Sequence, residues 1–318
     1  MSMEEKYMEI DPGFRIKEFR RPAYMNSLAY LDYRRKWEEN PQKGILSSFP
    51  LNLDVELNNT CNLSCPFCVR EHMNEGTGLM DPMRFATICR EAKQYQLPAM
   101  KLCWRGEPTL HPQLTEMVYA AKRANVLEVM FNTNGTRLTK NLSASLIRAG
   151  LDKIIFSIES IDPKRYRQYR RGAELTDVLV NLKDLLSARK MAKSDTPYIR
   201  VQKIDFPETR DEDFFDFFED MGVDAVAVNS YKQKDPAQVD WETKPCAQPF
   251  QRMFITWKGE YRICCQGNLF PKLGTMERMT IREAWHSPLF TEVRRHQIEN
   301  TAGKIACRNC DTTRGAST

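Results

Sequence analysis

Three cysteines set the strongest constraint on this chain. Cys61, Cys65 and Cys68 lie within Cys61-Asn62-Leu63-Ser64-Cys65-Pro66-Phe67-Cys68. They follow Leu51-Asn52-Leu53-Asp54-Val55-Glu56-Leu57, whose apolar alternation predicts a strand. Asn58, Asn59 and Thr60 then break the strand into a loop. A loop can wrap three sulfurs around one inorganic centre, because its backbone is not committed to a ladder. Three thiolates are one short of the four that a cubane iron–sulfur cluster takes, and an open coordination position lets a small molecule bind a metal. The same residues also fit a structural zinc loop lacking one partner, or a set of buried thiols. Zinc sites more commonly repeat a Cys-x2-Cys pair.

From Leu51 onward, strand-like and helix-like stretches alternate. Strands are predicted at 53–57, 99–104, 127–132, 153–157, 198–204 and 225–230. Helices are predicted at 83–94, 112–124, 141–149, 176–190 and 212–221. Asp81-Pro82 starts the first of these helices and Gly150 stops the third. Leu179, Leu182, Leu185 and Leu186 stand at helical spacing in the fourth. Six strands alternating with helices predict an α/β fold, with a parallel sheet and helices on its outer face. The order admits an open doubly wound sheet or a curved partial barrel. Sites in either lie at the carboxyl ends of the strands, where the cysteine loop falls. Residues 1–50 read as an N-terminal extension with little strand pattern. It carries one helix, striped by Tyr30, Leu31, Tyr33 and Trp37 and ended by Pro41 and Gly44.

The Cys-x3-Cys-x2-Cys loop, with the aromatic Phe67 before its last cysteine, resembles that of the radical S-adenosylmethionine (SAM) enzymes. The resemblance covers residues 51–310 and implies a six-stranded partial (β/α)6, TIM-like barrel over 51–235. Trp104-Arg105-Gly106-Glu107-Pro108 is similar to the family's Gly-Gly-Glu-Pro motif, which binds the SAM amino group. Gly106, Glu107 and Pro108 fit, while Arg105 replaces the first glycine. The resemblance also implies SAM contacts from Asn134 after strand three and from Ser157 and Glu159 after strand four. Arg170 or Arg171 is then expected on the SAM carboxylate, which a guanidinium binds through two hydrogen bonds. Gln202 and Asn229 are further pocket candidates. Each of these alone reads equally as an ordinary turn or surface cap.

From about residue 236 the chain changes character. Arg252 to Trp257 and Tyr261 to Cys264 read as a β-hairpin turning at Lys258-Gly259. Leu273 to Met276 read as a turn and Ile281 to Trp285 as a short helix. Cys246, Cys264, Cys307 and Cys310 make a closed set of four thiolates. Cys246 lies thirteen positions before Gly259, and Cys264 five after it. This spacing resembles the SPASM/twitch extension of radical SAM enzymes, which implies one auxiliary 4Fe–4S cluster over 236–318 and leaves Cys265 spare. The same four thiolates would equally hold a zinc knob. Cys89 reads as core packing. Cys103, Cys265 and His72, just past the first loop, are the candidates for a catalytic hydrogen or proton donor. His111, His286 and His296 read as surface or structural.

Bulk properties narrow the setting. Among 318 residues, 28% are charged and 42% hydrophobic, an ordinary globular composition. No run of about 18 apolar residues suggests a membrane span, and the N-terminus carries no signal-peptide core. Ten cysteines in such a chain favour metal over disulfides and a cytoplasmic setting. The net charge of +5 is spread out, and the basic stretch Lys164 to Arg171 reads as a solvated helix face rather than a nucleic-acid surface. The resemblance implies a flavodoxin- or ferredoxin-type electron donor, reductive cleavage of SAM, and a 5′-deoxyadenosyl radical that takes a hydrogen atom from a substrate. A small molecule such as a sugar or aminocyclitol is expected, with oxidation or epimerisation as the outcome. Modification of a ribosomally made peptide is the other reading within the class. A zinc-binding interaction protein is the reading outside it.

Overall fold

A computed structural model of the protein describes residues 8–11, 14–68, 70, 75–206, 213–230, 246–266 and 269–309. The chain opens with β1 (Met8–Asp11), β2 (Phe14–Glu18) and α1 (Leu28–Lys43). Alternation then begins with β3 (Asn52–Val55), α2 (Pro82–Gln94), β4 (Ala99–Lys101), α3 (Leu114–Arg123) and β5 (Glu128–Thr133). It continues with α4 (Lys140–Ala149), β6 (Lys153–Ser157), α5 (Pro163–Tyr169), α6 (Leu175–Met191), β7 (Tyr198–Asp205), α7 (Phe214–Met221) and β8 (Ala225–Ser230). The C-terminal region comprises α8 (Gln248–Gln251), β9 (Arg252–Ile255), β10 (Glu260–Arg262), β11 (Gly274–Thr275), α9 (Ile281–Trp285) and α10 (Pro288–Ile298).

The six expected strands are present, in sequence order and parallel, but the sheet does not stop at six. Among the described residues it has eleven strands, ordered β1-β2-β8-β7-β6-β5-β4-β3-β9-β10-β11. β2 joins β8 in antiparallel register, Phe14 opposite Asn229 and Ile16 opposite Ala227. The N-terminal segment therefore carries more strand than its sequence suggested: Phe14-Arg15-Ile16-Lys17 does alternate, over a length short enough to escape notice. At the other edge β9 joins β3 in parallel, Asn52 beside Arg252 and Val55 beside Ile255. The expected hairpin forms as β9 and β10, and the expected turn at Gly274 is a two-residue strand on β10. β4 ends at Lys101, short of the expected Trp104.

Side-chain alternation splits the sheet into two faces. Leu53, Val55, Met100, Val129, Phe131, Ile154, Phe156, Val201 and Val226 are buried in one core with Phe85 and Ile88 of α2, Met117 and Val118 of α3, Leu146 of α4, and Leu182 and Leu185 of α6. Each such side chain contributes about 1.5–3 kcal/mol on burial. Asp81 caps α2 by accepting the Met83 and Arg84 amides at 2.9 and 3.1 Å, ahead of Pro82 at the first turn. The opposite face is mixed, with Asn52, Lys101, Glu128, Lys153, Arg200 and Arg252 set among Met130, Ile155 and Tyr198. Phe14 and Ile16 of β2 and Arg252 of β9 line one cavity on it. In a flat sheet, seven strand spacings would put β2 and β9 about 33 Å apart, so the sheet curls around this face. α1 closes the amino ends of the strands, where Tyr30, Tyr33 and Trp37 pack with Leu51, Ala99, Met130, Tyr198 and Ala225. Leu31, expected in the same stripe, is 48% exposed.

Candidate active site

The cysteine loop leaves β3 at its carboxyl end and is held by hydrogen bonds that polar loop residues supply. Asn58 donates its side-chain amide to the Glu107 carbonyl at 2.9 Å, and the Glu107 amide donates to the Thr60 carbonyl at 2.8 Å. Asn59 anchors the returning segment, donating to the Gly76 carbonyl and accepting the Gly78 amide. Gly106 packs directly on this loop. A β-carbon there would sit 2.3 Å from the Asn58 carbonyl oxygen and 2.8 Å from that of Thr60. Gly106, expected as part of the SAM-binding motif, is thus required for the close approach of two loops.

Glu107 is 3% exposed. Its Oε1 accepts from the Thr109 hydroxyl and the Thr133 hydroxyl, each at 2.7 Å, and its Oε2 accepts from the Asn134 amide at 2.7 Å. Burial raises its pKa, and these hydrogen bonds work against that rise. A carboxylate has about four acceptor sites, so Oε2 retains one for a ligand donor. Asn134 in turn reaches the loop: its Nδ2 donates to Asn62 Oδ1 at 3.1 Å and lies 3.7 Å from Cys61 Sγ.

Arg105, which stands where the resemblance places a glycine, has a definite role in the structure. Its guanidinium donates to both oxygens of the fully buried Glu56, at 2.6 and 2.8 Å, and to Glu75 at 3.2 Å. It also lies over the Trp104 ring at 4.1 Å. Glu56 further accepts the Trp257 amide at 3.3 Å. One ion cluster therefore ties together the ends of β3 and β4, the exit of the cysteine loop and the C-terminal hairpin.

Glu159 and Arg170, each expected on SAM, are paired with one another. Arg170 Nε and Nη2 donate to the two Glu159 oxygens, the latter at 2.7 Å. Its Nη1 is 3.9 Å from Cys65 Sγ, and its guanidinium covers Phe67 at 5.4 Å. Burial pulls the Arg170 pKa down, but Glu159 outweighs it and the net shift is upward. Burial pushes the Cys65 thiol up to about 11 despite Arg170, and raises Cys61 as well. Metal coordination at these sulfurs must therefore release protons. Phe67 packs against Phe206 at 5.1 Å, and Phe206 stacks on Tyr169 at 4.4 Å. Ser157 sits half-buried at the end of β6, beside Gln202 of β7. Cys103 is buried and accepts the Asn132 amide at 3.2 Å, and burial holds its pKa near 11. His72 and Cys310 lie outside the described residues. His111 is buried, its ring on the Met80 carbonyl, as a structural histidine would be.

The C-terminal cysteines are organised by two glutamines that the sequence reading passed over. Gln297 of α10 accepts the Cys246 amide at 2.9 Å and donates to Cys307 Sγ at 3.4 Å. Gln248 of α8 donates to Cys265 Sγ at 3.5 Å. The Trp104 indole N–H donates to the Cys265 carbonyl at 3.1 Å, linking the two cysteine regions. Among the described residues, no three His, Cys, Asp or Glu side chains converge enough to hold one metal ion. A cubane takes its thiolates on separate irons, so it does not require such convergence. The buried oxygens without a hydrogen-bond partner include Asn132 Oδ1 at the end of β5 and Tyr166 Oη on α5.

Comparison with known proteins places this geometry. The radical SAM superfamily matches residues 55–212, and an iron–sulfur cluster-binding domain of SPASM type matches residues 246–311. The chain belongs to the radical SAM superfamily, a family of enzymes whose cofactors are SAM and 4Fe–4S clusters. It is 28% identical over 194 residues to the "tungsten-containing aldehyde ferredoxin oxidoreductase cofactor-modifying protein" of Pyrococcus furiosus, covering 59% of this chain and 53% of that one. It is also 28% identical over 180 residues to a "probable GTP 3',8-cyclase" of Sulfolobus acidocaldarius, covering 55% and 54%. The chain thus spans about half the length of these curated relatives. Its fold is similar to that of BtrN solved with AdoMet and 2-DOIA, with a TM-score of 0.59 at 20% identity over 85% of this chain and 95% of that one. No described helix is long and apolar enough to cross a membrane.

Proposed function

We propose that the enzyme holds its SAM-cleaving cluster on Cys61, Cys65 and Cys68, at the mouth of a six-stranded partial barrel formed by β3 to β8. The cluster supplies reductive cleavage of SAM, fed by a flavodoxin- or ferredoxin-type donor, for hydrogen abstraction from a small molecule. The observation that carries this reading is the gathering of Asn134 at Cys61 and Arg170 at Cys65, 3.7 and 3.9 Å from the sulfurs. Glu107 offers its remaining Oε2 acceptor to the SAM ammonium. Arg170, backed by Glu159, presents a positive charge beside Cys65 for the SAM carboxylate. Ser157 and Glu159 close the ribose side. Phe67, with Phe206 and Tyr169, keeps water from the loop.

Cys246, Cys264, Cys307 and Cys310 hold the auxiliary cluster, with Gln297 fixing the positions of Cys246 and Cys307. Cys265 stays outside the set, held by Gln248. The relatives named for acting on GTP support a small-molecule substrate, and the mixed inner face of the sheet, which carries charged side chains, suits one. A sugar or aminocyclitol is the class we take forward, with oxidation or epimerisation as the outcome.

Anaerobic reconstitution with iron and sulfide counting tests the reading. Replacing Cys61, Cys65 and Cys68 together by Ala should remove one cubane and all SAM cleavage and leave the other cluster. An unchanged iron content would sink the assignment. In Mössbauer spectra Cys310→Ala should alter the auxiliary cluster and Cys265→Ala should not. The reverse pattern would overturn the ligand set.

A further inference from the structure

A cavity of about 300 Å³ lies inside the curled sheet beneath α1, running from the amino ends of β5, β6 and β9 up to Lys101 at the end of β4, and no cysteine-loop residue lines it. Its walls include Glu128, Lys153 and Arg252, the first residues of β5, β6 and β9, and α1 covers it with Tyr33, Arg34 and Trp37. Six basic and three acidic side chains line it.

The acids are already engaged or lie in solvent. Glu128 accepts the Tyr24 hydroxyl at 2.8 Å. Glu18 accepts the Tyr198 hydroxyl at 2.8 Å and the Arg21 Nε–H at 3.0 Å, and Glu38 is exposed. Two of the bases, Lys153 and Arg200, are less well served. Lys153 comes no nearer to Glu128 than 3.9 Å. Arg200, only 5% exposed, gives one N–H to Gln202 at 2.9 Å, and its buried Nε–H has no partner. A buried cation without a matched acceptor is costly. An oxyanion would supply the missing acceptors, and a guanidinium with an ammonium is the donor set that recognises one.

The volume is at the lower end of the range for small-molecule pockets, about 300–1,000 Å³. Gln202 lies two residues up β7 from Arg200, about 6.6 Å, and Ser157 four up β6 from Lys153, about 13 Å; the two are paired on the same face at the level proposed for SAM. A molecule anchored by its anion at Arg200 and Lys153 would therefore extend toward the cysteine loop.

We propose that this cavity binds the oxyanion group, phosphate or carboxylate, of the small-molecule substrate. The word substrate rests on the function proposed above, whereas the anion site rests on Arg200 and Lys153 alone.

The test is calorimetry on the full-length reconstituted protein with inorganic pyrophosphate, inorganic phosphate and succinate. The wild type should bind at least one of them, and the tighter of pyrophosphate and succinate identifies the anion. Arg200→Met and Lys153→Met should each weaken binding tenfold or more, Arg200→Lys should recover part of it, and the exposed control Lys190→Met should change nothing. Iron content and SAM affinity should be equal in all variants. If the wild type binds none of the three, or if both Met variants bind as it does, the site is refuted. Should Arg200→Met fail to fold, Lys153→Met alone decides. The cysteine experiment is independent: its failure would remove SAM cleavage and leave the anion result standing, and failure here would leave SAM cleavage untouched.

Discussion

The indole N–H of Trp104 donates to the carbonyl oxygen of Cys265 across 161 positions of sequence, at 3.1 Å. Trp104 precedes the Arg105-Gly106-Glu107 turn, and its ring packs on Phe254 of β9 at 5.3 Å. One side chain therefore joins the SAM-side turn to the C-terminal cysteine region.

Trp104→Phe keeps an aromatic ring and removes the donor. Leaving a part-buried carbonyl unpaired costs about 1–3 kcal/mol. Denaturant unfolding should show that loss, with the cysteine-loop cluster still assembled. An unchanged midpoint would mean that water replaces the indole.

Restoring the family glycine should be harmful here. Arg105→Gly strips the partner from Glu56, a fully buried carboxylate whose pKa burial already raises. Removing one member of a buried ion pair costs about 3–5 kcal/mol. Expression and thermal melting should reveal a severely destabilised protein, and the double variant Arg105→Gly with Glu56→Gln should recover much of the loss.

Glu107→Gln removes the charge and also one of the acceptors that the loop uses. The new amide group must face either the Asn134 N–H or the two hydroxyls. SAM affinity should fall about tenfold or more, from the loss of a charge-assisted hydrogen bond worth roughly 1.5–3 kcal/mol. A titration of the reconstituted variant with unchanged affinity would remove Glu107 from the SAM contacts.

Anion binding in the basal cavity should weaken as pH rises. Burial pulls Lys153 down to about 8, with Glu128 and Glu18 opposing the shift and Arg200 and Arg34 reinforcing it, and its ammonium lies 5.5 Å from the Tyr198 ring. The charge is present below about pH 8 and lost above it, so binding of pyrophosphate should fall between pH 7 and 9. Folding stability moves oppositely. The unfolded chain holds that proton up to the ordinary lysine range, so the cost of burying the charge disappears as pH climbs from 8 toward 10. Calorimetry at the two pH values checks the first part, and Lys153→Met should flatten the profile.

Much of this protein was legible in the sequence because its signals are local. Short apolar stretches alternating with helical ones located all six parallel strands, and Asp81-Pro82 and Gly150 marked helix ends through backbone geometry that neighbours alone determine. The cysteine spacing likewise marked the loop before any contact was known. What the tertiary structure decided are relationships between distant segments. Nothing near Arg105 in sequence shows that Glu56 and Glu75 lie against it, nor that Gly106 is needed because Asn58 and Thr60 pass so close. Glu159 and Arg170 each looked like a ligand contact, and only folding brought them onto one another. Gln248 and Gln297 carry no motif, and they matter because α8 and α10 bring their amides to cysteines. The edges of the sheet were illegible for the same reason. β2 and β9 are five- and four-residue strands whose pairing depends on β8 and β3, and a short alternation gains its meaning only from the strand it meets.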